Sequence, residues 1–386
     1  MIVGPTGGGK TTNYKVLQHA LTALQHQERF HKVMVDILNP KSITMGQLYG
    51  FVDTMTTEWQ DGVLAKLVVE CTKDFSDTLH WVMFDGPVDA IWIENMNTVL
   101  DDNKKLCLNS GQIITLTDRM TMMFEVEDLR VASPATVSRC GMVYMEPASL
   151  TLKPLVQSWL NTLPPKVAES EYITKKLASM YDAVLDDLCY FVRKNVKEPV
   201  GTVDNNLAQS SMRILDCYFS NYVESEIKRV SKDDISALES MIPSLFFFAL
   251  AWSVGTTGTP EGRVKFDRAL KGKMEQLQVP YPEERTLYDY NYDVDSKDWV
   301  YWMDTIKEFQ VDIRLNYSEI VVPTVDSIRM KFVCRQLLLN DKHVLVPGPT
   351  GTGKSVNIAE LLQTQLPEEY QTVGMTFSAQ TSANQT

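Results

Sequence analysis

Cysteine is sparse and scattered. The six cysteines (Cys71, Cys107, Cys140, Cys189, Cys217, Cys334) form no C-x-x-C pair. They read as reduced cysteines of a cytosolic chain, not a disulfide frame or a zinc site. The five histidines have no H-E-x-x-H or comparable spacing, so nothing in the linear pattern calls for a protein-held transition metal. Basic residues are in deficit, 37 Lys and Arg against 49 Asp and Glu. The resulting net charge of −12 argues against a nucleic-acid surface. The longest apolar run, Leu245 to Val254, falls short of the ~20 residues that cross a bilayer. No signal peptide precedes the first glycine-rich loop, and no short-period repeat occurs. What remains is 386 residues with 44% hydrophobic content, enough for the cores of two or three domains.

Against this background two loops of one type stand out. Gly4-Pro5-Thr6-Gly7-Gly8-Gly9-Lys10-Thr11 and Gly348-Pro349-Thr350-Gly351-Thr352-Gly353-Lys354-Ser355 both fit G-x-x-x-x-G-K-[ST]. The glycines let successive N–H groups turn toward phosphate oxygens and leave no side chain in the way. The helix that follows adds the positive end of its dipole. Lys10 and Lys354 suit the β- and γ-phosphates of a nucleotide, and Thr11 and Ser355 suit Mg²⁺. An apolar stretch leads into each loop (Met1–Val3; Val344–Val346), and helix-compatible sequence follows (Thr12–Leu24; Val356–Leu366). A glycine turn that only mimics such a loop is the bland alternative, and two near-identical copies tell against it. ATP with Mg²⁺ is the expected ligand.

Organisation follows hydrophobic periodicity. Strands are expected at Met1–Val3, His31–Ile37, Leu79–Phe84, Gln112–Leu116, Met120–Phe124 and Met142–Met145, alternating with helical stretches as in an α/β sheet. Helical spacing runs through Leu150–Leu163, Glu171–Lys197, Asn205–Val230 and Asp233–Val254. The Pro/Tyr-rich stretch Val279–Tyr292 reads as a linker or ordered loop, and sheet and helix are expected to resume from Ile320. The expected domains are 1–149 (α/β with the first loop), 150–278 (helical), 279–319 (linker or interface) and 320–386 (the opening of a second α/β module). The chain thus looks like one whole nucleotide-binding module and the start of another, cut from a longer polypeptide at a gene-model boundary.

A phosphate loop needs an acid at the end of a neighbouring apolar strand to hold Mg²⁺ through its waters. His80-Trp81-Val82-Met83-Phe84-Asp85 supplies Asp85. Hydrolysing AAA+ enzymes place a glutamate directly after that aspartate to polarise water. Here it is Gly86, then Pro87. Glycine cannot accept a proton, so the first site is expected to hold ATP-Mg without useful turnover. Asp89 and Glu94 are the nearest substitutes, in poor geometry.

These residues carry a resemblance. The stretches Asn39–Gly50 (NPKSITMGQLYG), Phe84–Lys104 (FDGPVDAIWIENMNTVLDDNK) and Ala132–Tyr144 (ASPATVSRCGMVY) resemble the second AAA+ module of dynein heavy chains. Val322–Arg329 (VPTVDSIR), the second loop and Phe377–Thr386 (FSAQTSANQT) resemble the start of the third. Met145-Glu146-Pro147 leans toward an axonemal type. The resemblance spans nearly the whole chain and is weakest at 150–290.

It implies an AAA+ P-loop NTPase fold: a parallel sheet with flanking helices, a small α-helical subdomain, then the next α/β module. It implies a six-module ring, a minus-end-directed microtubule motor of cilia, working in cytoplasm, cytoskeleton and axoneme. Implied partners are the remaining modules, intermediate and light chains, and microtubules through absent parts, with no nucleic acid and no membrane. It implies that the second module binds nucleotide without hydrolysis, and that Arg139 is the arginine finger presented to the first module's site. From spacing alone Arg139 reads sooner as a surface or salt-bridged arginine than as a finger. Glu125 sits near the position that senses the γ-phosphate, yet a carboxylate there would repel phosphate, so it is as readily structural or water-binding. Arg263 reads as an exposed helix-start arginine sooner than a sensor. The aromatic cluster Tyr281–Trp302 reads as interface packing, and Asp101–Lys105 as a solvated turn. The rival reading is a self-sufficient AAA+ remodeller that assembles as a homo-oligomeric ring.

Overall fold

The computed structural model describes residues 1–225, 229–306 and 322–381. The end of the expected Asn205–Val230 helix, residues 307–319 of the 279–319 segment, the restart at Ile320 and the match at Ser382–Thr386 lie partly or wholly outside the described residues. Two compact units are present, Met1–Thr151 and Leu152–Thr386.

The first unit is built on a parallel sheet. Its strands are β1 (Ile2–Val3), β2 (Val33–Leu38), β3 (Gly50–Val52), β4 (Trp59–Asp61), β5 (Leu79–Asp85), β6 (Lys105–Cys107), β7 (Ile113–Thr115), β8 (Met120–Val126) and β9 (Val143–Tyr144). Helices α1 (Lys10–Ala23), α2 (Met45–Tyr49), α3 (Val63–Lys73), α4 (Ala90–Glu94), α5 (Asn97–Leu100) and α6 (Pro134–Ser138) connect them. The order across the main sheet is β2-β5-β8-β1-β9. β5 lies inside it with His80 to Phe84 buried, which explains its unbroken apolar run: a parallel strand is covered on both faces. Phe84 stacks on Phe124 (5.0 Å between centroids) and on Trp92 (5.7 Å) to fill one side.

The expected strand at Gln112–Leu116 exists as β7 but outside the main sheet. It pairs antiparallel with β6, Leu106 against Ile114. Too few residues separate it from β8 for the crossover that a parallel neighbour requires, so a hairpin is its available partner. The β3–β4 hairpin was not anticipated from periodicity.

In the second unit the helices α7 (Lys153–Leu160), α8 (Pro165–Ala168), α9 (Glu171–Asn195), α10 (Asp204–Phe219), α11 (Lys232–Ser253) and α12 (Pro260–Gln276) surround a core dominated by α11. α11 is apolar on all sides and passes the length and composition test for a membrane span. Leu245 to Leu250 are nevertheless all buried against neighbouring helices, so it serves as the core helix. α10 stops at Phe219, earlier than its periodicity suggested. Val223 beyond it is 49% exposed and has no apolar face to join. The Pro/Tyr-rich stretch is ordered: β10 (Tyr290–Asp293) and β11 (Asp298–Tyr301) form a hairpin, and Trp302 packs between Trp252 and Phe332 (6.4 and 5.1 Å). The aromatic cluster therefore closes the helical core. α13 (Val325–Leu338) and α14 (Lys354–Glu360) follow, the latter continuing as a π-helical turn at Leu361–Gln365. The apolar stretch Val344–Val346 that leads into the second loop forms no strand. No strand among the described residues pairs with it, Leu345 is 88% exposed, and an unpaired strand leaves its backbone groups unsatisfied.

Candidate functional site

β1 ends at Val3 and the chain turns sharply into the first loop. Gly4 (φ 150°) donates its N–H to Val126 O at 3.1 Å, locking the loop onto the end of β8. A Cβ on Gly4 would fall 2.0 Å from Met145 O, so no other residue fits. Gly7 and Gly9 take left-handed conformations (φ 89° and 77°), and Gly9 begins α1 with no side-chain cap. The amides of the first turn of α1 are thus offered to an anion. Lys10 is nine-tenths buried and donates to Gly4 O (2.6 Å) and Pro5 O (3.1 Å).

The second loop repeats this geometry. Gly351 and Gly353 have φ of 82° and 78°, and Lys354 Nζ donates to Gly348 O at 2.7 Å and to Pro349 O. Ser355 lies exposed at the start of α14. Both loops share a feature that the motif pattern does not name. Asn13 and Asn357, three residues past each lysine, donate from Nδ2 to the carbonyls of Gly9 and Gly353, each at 2.9 Å. The shared asparagine at that position was the available signal.

The strand ends bring two carboxylates to the Thr11 side of the loop. Asp85 ends β5, and its register partner on β8 is Glu125. Thr11 Oγ1 donates to Glu125 Oε1 at 2.6 Å. Glu125 is nine-tenths buried, and neither its Oε2 nor the buried Tyr14 Oη has a hydrogen-bond partner among the described residues. Burial, then Glu125, then Asp85 hold the Tyr14 phenol above its usual range. A hydroxyl and two carboxylates, with an orphaned buried carboxylate oxygen among them, form an all-oxygen donor set of the kind Mg²⁺ takes. Glu125 is therefore tied to the side chain expected to hold the metal, a link that its position in the sequence did not reveal.

Gly86 sits in a closed space. A Cβ there would meet Asn39 Oδ1 at 2.7 Å, and that oxygen accepts the Lys41 N–H at 3.0 Å. Asp89 is committed elsewhere. It pairs with Lys41 and caps α4 by accepting Ile91 N–H at 2.9 Å, and the Lys41 hydrogen bond is the main cause holding its carboxyl below the usual range. Glu94 is exposed on α4.

Arg139 follows α6, whose start is capped by Ser133 accepting Thr136 N–H (3.2 Å). Thr136 Oγ1 also donates to Asn97 Oδ1 (2.9 Å). The guanidinium pairs with Asp101 and donates to Ala135 O at 3.2 Å while remaining about a third exposed. Asp101 is thus more than a solvated turn residue. Arg263 departs from expectation as well. It is half-buried, with Nε buried and unpartnered, and burial together with Arg329 lowers its guanidinium pKa. Packing of α3 on the sheet also brings ligand atoms of Asp36, Cys71 and His80 within 4.8 Å of one another, a set invisible in linear spacing. His80 Nε2 is taken by Asp74 (2.8 Å), and burial first, then Asp36, pushes the Cys71 thiol up to about 11.

A phosphate loop between a strand and a helix, an acid at the end of β5 in the same parallel sheet, and a helical unit that follows in sequence define an AAA-type P-loop module. The comparisons agree. The AAA domain of the dynein-related subfamily matches residues 1–140, the dynein heavy chain AAA lid domain 177–304, and the P-loop containing dynein motor region 309–386. The chain is 46% identical over its whole length to dynein axonemal heavy chain 1 of Mus musculus and of Homo sapiens, and 40% identical to human dynein axonemal heavy chain 3. It belongs to the axonemal dynein heavy chains, as part of their motor region. It spans about a tenth of the length of these curated relatives (10% of each).

Proposed function

We propose that residues 1–149 form the large subdomain of the second AAA+ module of such a motor, 150–278 its helical subdomain, 279–319 an interface segment and 320–386 the start of the third module. In this reading Gly4 to Lys10 wrap the phosphates of ATP, and Gly348 to Lys354 do so in the next module. Thr11 and Asp85 serve Mg²⁺ in the first site, and Ser355 serves it in the second. When bound, Mg²⁺ would supply charge neutralisation for the phosphates. Lys10 neutralises phosphate charge, and the α1 amides orient the nucleotide.

The first site holds ATP without turning it over. The observation that carries this is Gly86, whose place beside Asp85 offers no base and is crowded by Asn39. Arg139 acts in trans, stabilising charge that develops on the γ-phosphate of the preceding module, with Asp101 steadying it until then. The whole heavy chain works as a minus-end-directed microtubule motor of the ciliary axoneme, within cytoplasm and cytoskeleton. It does so with intermediate and light chains and through parts beyond this segment. The rival reading, a self-assembling remodeller, is not favoured: similarity to long single-chain motors runs over every residue.

Single-turnover assays with labelled ATP test the reading, using Lys354→Ala to silence the second loop and Lys10→Ala as control. ATP retained unhydrolysed in a Lys10-dependent manner is the expected result. Lys10-dependent conversion to ADP overturns it. In a ring containing the neighbouring module, Arg139→Ala should lower ATPase by about 10³-fold or more while leaving nucleotide binding at this site intact.

A further inference from the structure

Glu125 is an unexpected neighbour for a triphosphate. It stands beside Asp85 at the open end of the sheet, and it accepts the hydroxyl proton of Thr11, the residue whose oxygen the loop offers to a cation. Its second oxygen is buried without a partner, and so is the phenol oxygen of Tyr14, one helical turn beyond Thr11. A buried acceptor without a donor is unfavourable, and two carboxylates facing phosphates repel them. One kind of ligand removes both penalties together: a hydrated divalent cation between the carboxylates and the nucleotide.

We infer that Glu125 is a second carboxylate for the cation at this site, joining Asp85, and that it makes nucleotide binding here obligatorily dependent on a divalent metal. This rests on the nucleotide-binding reading above. With a cation bound, Thr11 would offer its hydroxyl oxygen to the metal, and Glu125 would balance the metal's charge and accept hydrogen bonds from its hydration water. Without the cation, the pair Asp85 and Glu125 opposes the phosphates more strongly than Asp85 alone would. Glu125 is here a positioning and selectivity group, not a base.

The test uses the 386-residue chain carrying Lys354→Ala, a fluorescent ATP analogue, and either Mg²⁺ or a chelator. The readout is the ratio of Kd in chelator to Kd in Mg²⁺, with Mn²⁺ resonance of the bound nucleotide as a second signal. Glu125→Gln keeps the size of the side chain and an acceptor for Thr11. It should lower the ratio by about tenfold or more, chiefly by improving binding in chelator, and should alter the Mn²⁺ spectrum. An unchanged ratio overturns the inference, as does binding improved equally with and without metal. If the variant fails to fold, the unsubstituted glutamate still decides. Its own ratio should be about 100-fold or more, and near-equal affinities in chelator and Mg²⁺ overturn the inference. If no Lys10-dependent nucleotide binding occurs at all, the underlying reading falls, and the inference falls with it.

Discussion

At the position after Asp85, two facts combine: the residue is glycine, and the room for anything larger belongs to Asn39. Glutamate introduced there would not by itself restore a base, because its Cβ displaces Asn39 from the turn it makes with Lys41. A correctly placed base contributes about 10²–10⁴-fold to rate. Gly86→Glu is expected to stay below a tenfold gain in single-turnover hydrolysis, and Gly86→Glu with Asn39→Ala to exceed it. Gly4 is constrained more severely, by its left-handed φ and by Met145 O. Gly4→Ala should destabilise the first unit by about 3 kcal/mol or more and abolish its nucleotide binding, read by urea denaturation and fluorescence titration. The phosphate loops and Gly86 were readable residue by residue, since their chemistry is local. Asn39 and Glu125 were not, because what matters about each is a neighbour far off in sequence, as with Thr11 and Glu125 at a separation of 114.

Among elements, the long helices were the most legible. α9 shows its 3.6-residue spacing over 25 residues and buries Ile173, Leu177, Met180, Val184, Leu188 and Val192 on one side. α11 was legible as a helix from the spacing over Asp233–Val254, and its place in the core explains why its C-terminal half needs no polar face. Phe246→Ala within it should cost about 3–5 kcal/mol, seen as a lower denaturant midpoint with unchanged slope. Short strands were less legible: β6 and β7 exist because they pair with each other, and Val344–Val346 has no such partner. The junction between α3 and β5 carries a pH response. Asp74 is lowered to about 2, first by the Ser76 backbone N–H, then by the Ser76 hydroxyl and His80. A depressed carboxyl stabilises the fold above its unfolded value near 4, and that contribution disappears as pH falls toward 2. Asp74→Asn should flatten acid unfolding monitored by circular dichroism between those limits, with little change at pH 7.

On the scale of the whole molecule, the two units have separate cores, and each holds one phosphate loop. On the proposed reading as a segment of a single-chain motor, self-association is not needed, so light scattering with ATP should report a monomer; a hexamer would revive the remodeller.

The sequence by itself determined the chemistry that is written contiguously. The two loops, the acid at Asp85 and the lack of a base at Gly86 each depend on a few adjacent residues. The tertiary structure alone decided which distant groups meet that chemistry: Glu125 on Thr11, Asn39 against Gly86, Asp101 on Arg139 and His80 beside Cys71 and Asp36. The reason is packing at long range. Parallel strands joined by long crossovers, with helices packed on them, bring residues dozens of positions apart together, and nothing in linear spacing encodes which of them become neighbours.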